Sequence, residues 1–245
     1  MDPAAIRSFM RARFSREGAV GLYFTVSLLA CLLLTVAFSV LAHEVFEHTI
    51  TPGPLDGTVG KFLYGLRSPP MTEVMRGITF LGDRVFLAVG TAAVVTGLVV
   101  AGHRVSALLF FGSVAGGFGV TTALKIGFTR ARPDLWPALV KETTYSFPSG
   151  HAAMSTVFFG GLAAVVFHLS SRRGIRILAV GAAAFFVIAV AVSRVYLGAH
   201  WATDTFAGVL VGLFWVTVYA AGTDVVSRGG SGSPRRRPGS PRSAA

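Results

Sequence analysis

Six apolar runs separated by polar loops constrain this chain more than any other feature. They lie at about 20–41, 85–101, 106–124, 152–169, 177–192 and 201–221. A helix needs about 20 apolar residues to cross a bilayer. The first run reaches that length, and the polar residues flanking the shorter runs complete them. With 53% hydrophobic residues, 13% charged residues and a mean hydropathy of +0.65, the chain has too little polar surface to cover a soluble domain. The predicted fold class is therefore all-α: an integral membrane bundle of six transmembrane helices, with short interfacial helices after the first span. Those interfacial helices are expected within 43–83. There Pro52, Pro54, Pro69 and Pro70 break the chain, and Leu55, Val59, Phe62, Leu63 and Leu66 recur at helical spacing.

The organisation that follows has three parts. A basic cytoplasmic arm occupies 1–19, a six-helix membrane domain 20–224, and a disordered basic cytoplasmic tail 225–245, rich in Gly, Ser, Pro and Arg. Val40-Leu41-Ala42 faintly imitates a signal-peptidase site, but the run before it is too long for a signal core, so it is taken as a retained first helix. With both termini cytoplasmic, thirteen of the 22 basic residues fall inside against three acids, leaving nine basic and eight acidic groups outside. The positive-inside rule strongly favours this orientation. The net charge of +11 is spread between and beyond the spans rather than along one surface, which excludes nucleic acid as a partner. The expected partners are membrane lipids, and the sequence leaves the oligomeric state open. Cys31, the one cysteine, sits in an apolar run and is expected to act as a small hydrophobe.

The same alternation brings three polar clusters to the outer face. The first, KIGFTRARP, sets Lys125 and Arg132 at a helix end and in the loop beyond, with Pro133 after them. In the second, SFPSGH, Ser149 suits an N-cap, Gly150 permits close backbone approach to an anion, and His151 stands at the start of an apolar helix, where it could act as a general acid. The third, SRVYLGAHWATD, places Arg194 just before a turn at Gly198. Its His200 and Asp204 are four apart, on one helix face, where a carboxylate can orient an imidazole. Taken singly, each cluster also fits an interfacial anchor or an ordinary helix cap. Trp201 suits an interfacial aromatic belt, and Arg130 a headgroup contact. That all three clusters face one side argues for one composite site.

The ordered pattern Lys-x6-Arg-Pro, Pro-Ser-Gly-His and Ser-Arg-x5-His-x3-Asp, from Lys125 to Asp204, resembles the signature of the type 2 phosphatidic acid phosphatase superfamily. That superfamily also holds vanadium haloperoxidases and glucose-6-phosphatase-like enzymes. The resemblance implies that His200 attacks phosphorus to form a phosphohistidine, Asp204 orients it, and His151 protonates the leaving oxygen. It implies that Lys125, Arg132, Ser149, Gly150 and Arg194 hold the phosphoryl oxygens, with no metal and no cofactor. Three cations and a helix start are suited to the charge that builds on phosphoryl oxygens during transfer.

The expected activity is therefore that of a lipid phosphate phosphatase of the cell membrane, acting on the extracytoplasmic face. Its favoured substrate is a polyprenyl diphosphate such as the undecaprenyl carrier, with phosphatidylglycerol phosphate or phosphatidate close behind. A vanadium-haloperoxidase-like enzyme is opposed by the apolar spans. A non-catalytic lipid-binding or transport protein is opposed by the intact His151 and His200.

Overall fold

The computed structural model describes residues 22–47 and 53–230; the arm expected at 1–19 and the last fifteen residues of the tail lie outside them. Eight helices and no strands are found among the described residues. Helix α1 spans Leu22–Glu47, α2 Pro54–Gly65, α3 Pro69–Phe80, α4 Arg84–Val100 and α5 Arg104–Phe128. Helix α6 spans Gly150–Leu169, α7 Arg173–Tyr196 and α8 Ala202–Gly230. Five of these, α1 and α5–α8, are long and apolar enough to cross a membrane. The count becomes six if α3 and α4, bent by 42° at a short break, are one span. Helix α4 alone has 17 residues, about 25 Å of rise, which falls short of a hydrocarbon core of about 30 Å.

The helices run past the apolar stretches that announce them. His43–Glu47 belong to α1 rather than to the interfacial segment, α7 begins at Arg173 and ends at Tyr196, and α8 continues to Gly230. Backbone hydrogen bonding carries a helix through polar residues wherever these face protein or the interface, whereas hydropathy marks only what lipid covers. The lipid-facing surface is apolar as expected, with Leu33, Val100, Leu108, Leu178, Phe185 and Ile188 all more than 60% exposed. The two short helices after α1 are present, and each starts with proline, which suits a first turn whose N–H groups lack partners.

Helix α8 is the central post, packing against α1, α5 and α6. Its approach to α6 depends on Gly208, where a Cβ would sit 2.5 Å from the Ser149 carbonyl oxygen and 3.0 Å from the Ala153 nitrogen. The start of α6 is thus held directly against the first turns of α8. Helix α6 itself contains a π turn at Thr156–Gly160, where the Thr156 hydroxyl donates to the Ala152 carbonyl. On the other side of α8, Phe38, Ala42 and Val45 of α1 pack on Phe128, Phe147 and Ala207, closing the same end of the bundle.

Candidate active site

The site is built where α5, α6, α7 and α8 start or stop. Between α7 and α8 the chain turns on three backbone hydrogen bonds at Leu197, Gly198 and Ala199. Gly198 has a φ of +73°, open to glycine without strain. This turn leaves His200 just ahead of α8 and Asp204 in its first turn. The His200 Nδ1 lies 3.3 Å from Asp204 Oδ2, so the expected pairing is present. Asp204 also accepts from the Trp201 backbone N–H at 2.9 Å and from the Ser146 hydroxyl, and Arg130 Nη1 reaches its Oδ1 at 2.5 Å. An ionised carboxylate only accepts, so the proton of the ring sits on Nδ1 and the lone pair on Nε2. Burial pushes the His200 pKa down to about 3, against the opposing pull of Asp204, and the imidazole is neutral at physiological pH. A neutral ring whose Nε2 carries an oriented lone pair is a competent nucleophile.

That Nε2 looks into a cavity of about 1170 Å³, which also receives Lys125, Arg132, Gly150, His151 and Arg194. Three regions distant in the sequence are thereby united. Lys125 stands in the last turn of α5 and donates to the Tyr145 carbonyl at 2.6 Å. Helix α5 then stops at once, because Thr129 takes a left-handed conformation with φ +46° and caps on Lys125 O, well before Pro133. Arg132, in the loop, lies 3.3 Å from His200 Nε2 and donates to the Ala199 carbonyl at 2.5 Å. Burial lowers its pKa, with Glu142 opposing the shift. Arg194, 2% exposed, reaches the Thr79 hydroxyl at 2.8 Å, and its Nε has no partner. Of the residues expected to hold phosphate, Ser149 alone stands back from the cavity. Its hydroxyl caps α6 by accepting from Ala152 N, and its own N–H donates to the Asp204 carbonyl at 2.9 Å.

Four residues of the site have no catalytic or phosphate-binding part in the sequence reading. Arg130 is not a surface headgroup contact; it is buried, and joins Asp204 to Asp56 of α2, whose Oδ2 lies 2.7 Å from its Nη2. Ser146 holds Asp204 from behind. Glu142, from the loop between α5 and α6, pairs with Arg194 and lies 3.7 Å from Arg132. Burial pushes the Glu142 carboxyl up, but Arg194 and Arg132 outweigh it and hold the group below the usual carboxylate range. The sequence holds a signal for two of these: an acid in the first turn after Pro54, and an additional arginine two residues before Arg132. Trp201 also differs from expectation. It is 7% exposed, bonds the Ala131 carbonyl and lies over Arg130 at 5.6 Å, so it locks the loop rather than joining an aromatic belt.

Away from the charges, the cavity continues between α4 and α5 along Leu87, Val95, Phe111, Val114 and Phe118. Its polar head and apolar shaft make it a container for an amphiphile. Among the described residues, no three His, Cys, Asp or Glu side chains cluster so as to hold a metal ion.

Comparison with known proteins agrees with this geometry. The family model of the PAP2 superfamily matches residues 106–225. Phosphatidylglycerophosphatase B of Bacillus subtilis is 32% identical over 181 residues, which cover 74% of this chain and 88% of that protein. The chain belongs to the PAP2 superfamily. It is a membrane lipid phosphatase of that family. A crystal structure of the transmembrane PAP2 type phosphatidylglycerolphosphate phosphatase of B. subtilis superposes on this PAP2 chain with a TM-score of 0.70 and 28% identity, covering 84% of this chain and 98% of that one. The undecaprenyl-diphosphatase of Sulfolobus acidocaldarius is 39% identical over 77 residues, 31% of this chain and 32% of that protein. The structure of Aquifex aeolicus LpxE shares the fold, with a TM-score of 0.54 and 20% identity over 69% of this chain.

Proposed function

We propose that this PAP2 phosphatase removes the phosphate from a glycerolipid phosphomonoester, of which phosphatidylglycerol phosphate is the leading candidate, through a phosphohistidine on His200. The observation that carries the proposal is the single cavity in which the His200 Nε2 and three cations stand at the head of an apolar shaft between α4 and α5. A phosphate at the head would be reached by Nε2 while the chains stay at membrane depth. The lone pair of Nε2 forms the N–P bond, the P–O bond to the lipid breaks, and the leaving oxygen takes its proton from His151. Water then cleaves the N–P bond and frees phosphate. Lys125, Arg132 and Arg194 offset the charge on the phosphoryl oxygens, with Gly150 leaving room at the start of α6. Ser149 contributes by fixing that helix start.

The match over most of both chains favours the glycerolipid. A polyprenyl diphosphate is the second reading, favoured by the 39% identity of the shorter matched segment. In the proposed topology both termini, with the basic arm and tail, are cytoplasmic and the site faces outward, in keeping with the charge bias of the loops.

The test is phosphate release from a panel of detergent-dispersed lipid phosphates and diphosphates, with and without EDTA. Phosphatidylglycerol phosphate is expected to turn over fastest, with chelator having no effect. His200→Ala is expected to abolish release while the protein still inserts and folds; full activity in that variant overturns the nucleophile assignment.

A further inference from the structure

Behind the imidazole lies a chain of three buried charges that the phosphate-binding cage does not use. The Arg130 guanidinium, 5% exposed, reaches Asp204 Oδ1 at 2.5 Å and the Thr203 hydroxyl at 2.8 Å through Nη1, and Asp56 Oδ2 at 2.7 Å through Nη2. Asp56, 1% exposed, is itself fixed by the Thr203 N–H at 2.8 Å and the Thr203 hydroxyl. We propose that Asp56 and Arg130 are positioning residues for the reaction: together they keep Asp204 ionised and leave one net negative charge behind His200. The surface helix α2, whose place in the molecule is otherwise that of a brace, thereby joins the catalytic apparatus. This inference rests on the reading of His200 as the nucleophile.

The physical case is one of charge balance. Two buried carboxylates so close to each other could not both ionise without a cation between them, and Arg130 is that cation. A buried triad of this kind adds little stability over an apolar replacement, so stability alone does not account for it. Its position does. When Nε2 attacks phosphorus while Nδ1 keeps its proton, the ring acquires a positive charge. With Arg130 alone behind Asp204 the pair would be neutral, and with Asp56 alone one carboxylate would take up a proton. Of these three arrangements, only the full triad keeps Asp204 fully ionised and still leaves one net negative charge to meet the cationic ring. The other charged groups around His200 and Asp204, namely Arg132 at Nε2, Lys125, Arg194 and Glu142, stand on the cavity side.

The experiment uses Arg130→Gln, Asp56→Asn and the double variant in the full-length protein. Phosphate release from a short-chain phosphatidate in detergent is measured as kcat and KM across pH, beside thermal melting. Removing Arg130 leaves two carboxylates sharing a proton, so Arg130→Gln is expected to lose roughly 100-fold in kcat at pH 7. Its activity should return as pH rises, the acid limb having moved up by about 1–3 units. Adding Asp56→Asn removes the second carboxylate, so the double variant should be more active than Arg130→Gln at pH 7, with the limb moved back. Asp56→Asn alone should lose roughly 10-fold in kcat at unchanged KM, without an upward move of the limb.

An unmoved limb in Arg130→Gln, or a double variant that simply multiplies the two losses, overturns the proposal. If Arg130→Gln does not fold but the double variant does, charge balance is supported. If neither folds, Asp56→Asn decides, and wild-type kcat there refutes the idea. His200→Ala run alongside separates the two levels. Activity in that variant sinks the nucleophile reading, whereas an inactive His200→Ala beside an unmoved limb sinks only the role of Asp56 and Arg130.

Discussion

Two arginine–carboxylate assemblies flank His200, and they are made of the same groups for opposite purposes. Behind the ring, Arg130 with Asp56 and Asp204 is sealed, its side chains 4% exposed or less. In front, Arg194 and Arg132 with Glu142 border the cavity, and the Glu142 side chain is 22% exposed. A sealed pair cannot exchange its partner without leaving a buried charge alone. An open pair can give up one anion for another. The rear assembly is therefore suited to permanent orientation of the proposed nucleophile, and the front one to trading a carboxylate for a phosphate.

The sharpest break in this comparison comes from removing a front cation. Arg194→Ala, or Lys125→Ala, takes away charge that matters most when the phosphoryl group is in transfer. Each is expected to lower kcat/KM by on the order of 100-fold, about 3 kcal/mol, as for a lost oxyanion donor. The acid limb of the pH profile should stay in place, because the rear assembly is intact. Steady-state kinetics on folded, detergent-solubilised variants checks both points; a limb that moves as far as in Arg130→Gln would erase the distinction between front and rear.

Most of the front half of the site was legible in the sequence, as was Asp204 behind His200, whereas Glu142, Arg130 and Asp56 in these parts were not, for a physical reason. Lys125, His151, Arg194 and His200 each lie next to a span boundary, and alternating spans through a bilayer bring their ends to one side without any knowledge of packing. Asp56 and Arg130 are 74 residues apart, and their pairing depends on how α2 lies against the turn before α8. No periodicity encodes that. The helices themselves were legible because lipid-facing positions such as Leu33, Leu108 and Phe185 must be apolar. Their ends were less so, since the last turns of α5 and α7 spend Lys125 and Arg194 on the site. For Ser149 the sequence suits an N-cap and the resemblance implies a phosphate ligand; the structure shows the cap.

A finer test asks whether the front carboxylate really is exchangeable. If Glu142 competes with phosphate for Arg194 and Arg132, Glu142→Gln weakens the competitor. Vanadate, a phosphate mimic, should then inhibit the variant a few-fold more tightly and KM should fall, with kcat changing little. Only a few-fold is expected because the carboxylate end of these pairs, 22% exposed, is already partly screened by solvent. A looser grip on vanadate would mean that Glu142 holds the arginines in place for the substrate instead, making the front assembly as fixed as the rear.

The smallest effect concerns stability rather than rate. The His200 pKa lies at about 3 in the folded protein, below its ordinary value near 6.5, because burial disfavours the charged ring. Between those two values the unfolded chain binds a proton that the folded chain refuses, so this group makes stability fall as pH drops from about 6.5 toward 3. Other groups titrate in the same window, but His200→Asn removes this one alone. Melting temperatures of the wild type and the variant, compared at pH 7.5 and pH 5, should show a smaller acid-induced loss in the variant. Equal losses would mean that the ring can be protonated in the folded state at pH 5, with Asp204 and the sealed charges behind it accommodating an imidazolium before any phosphate arrives. The rear assembly would then be built to hold a cation at rest, and not only during transfer.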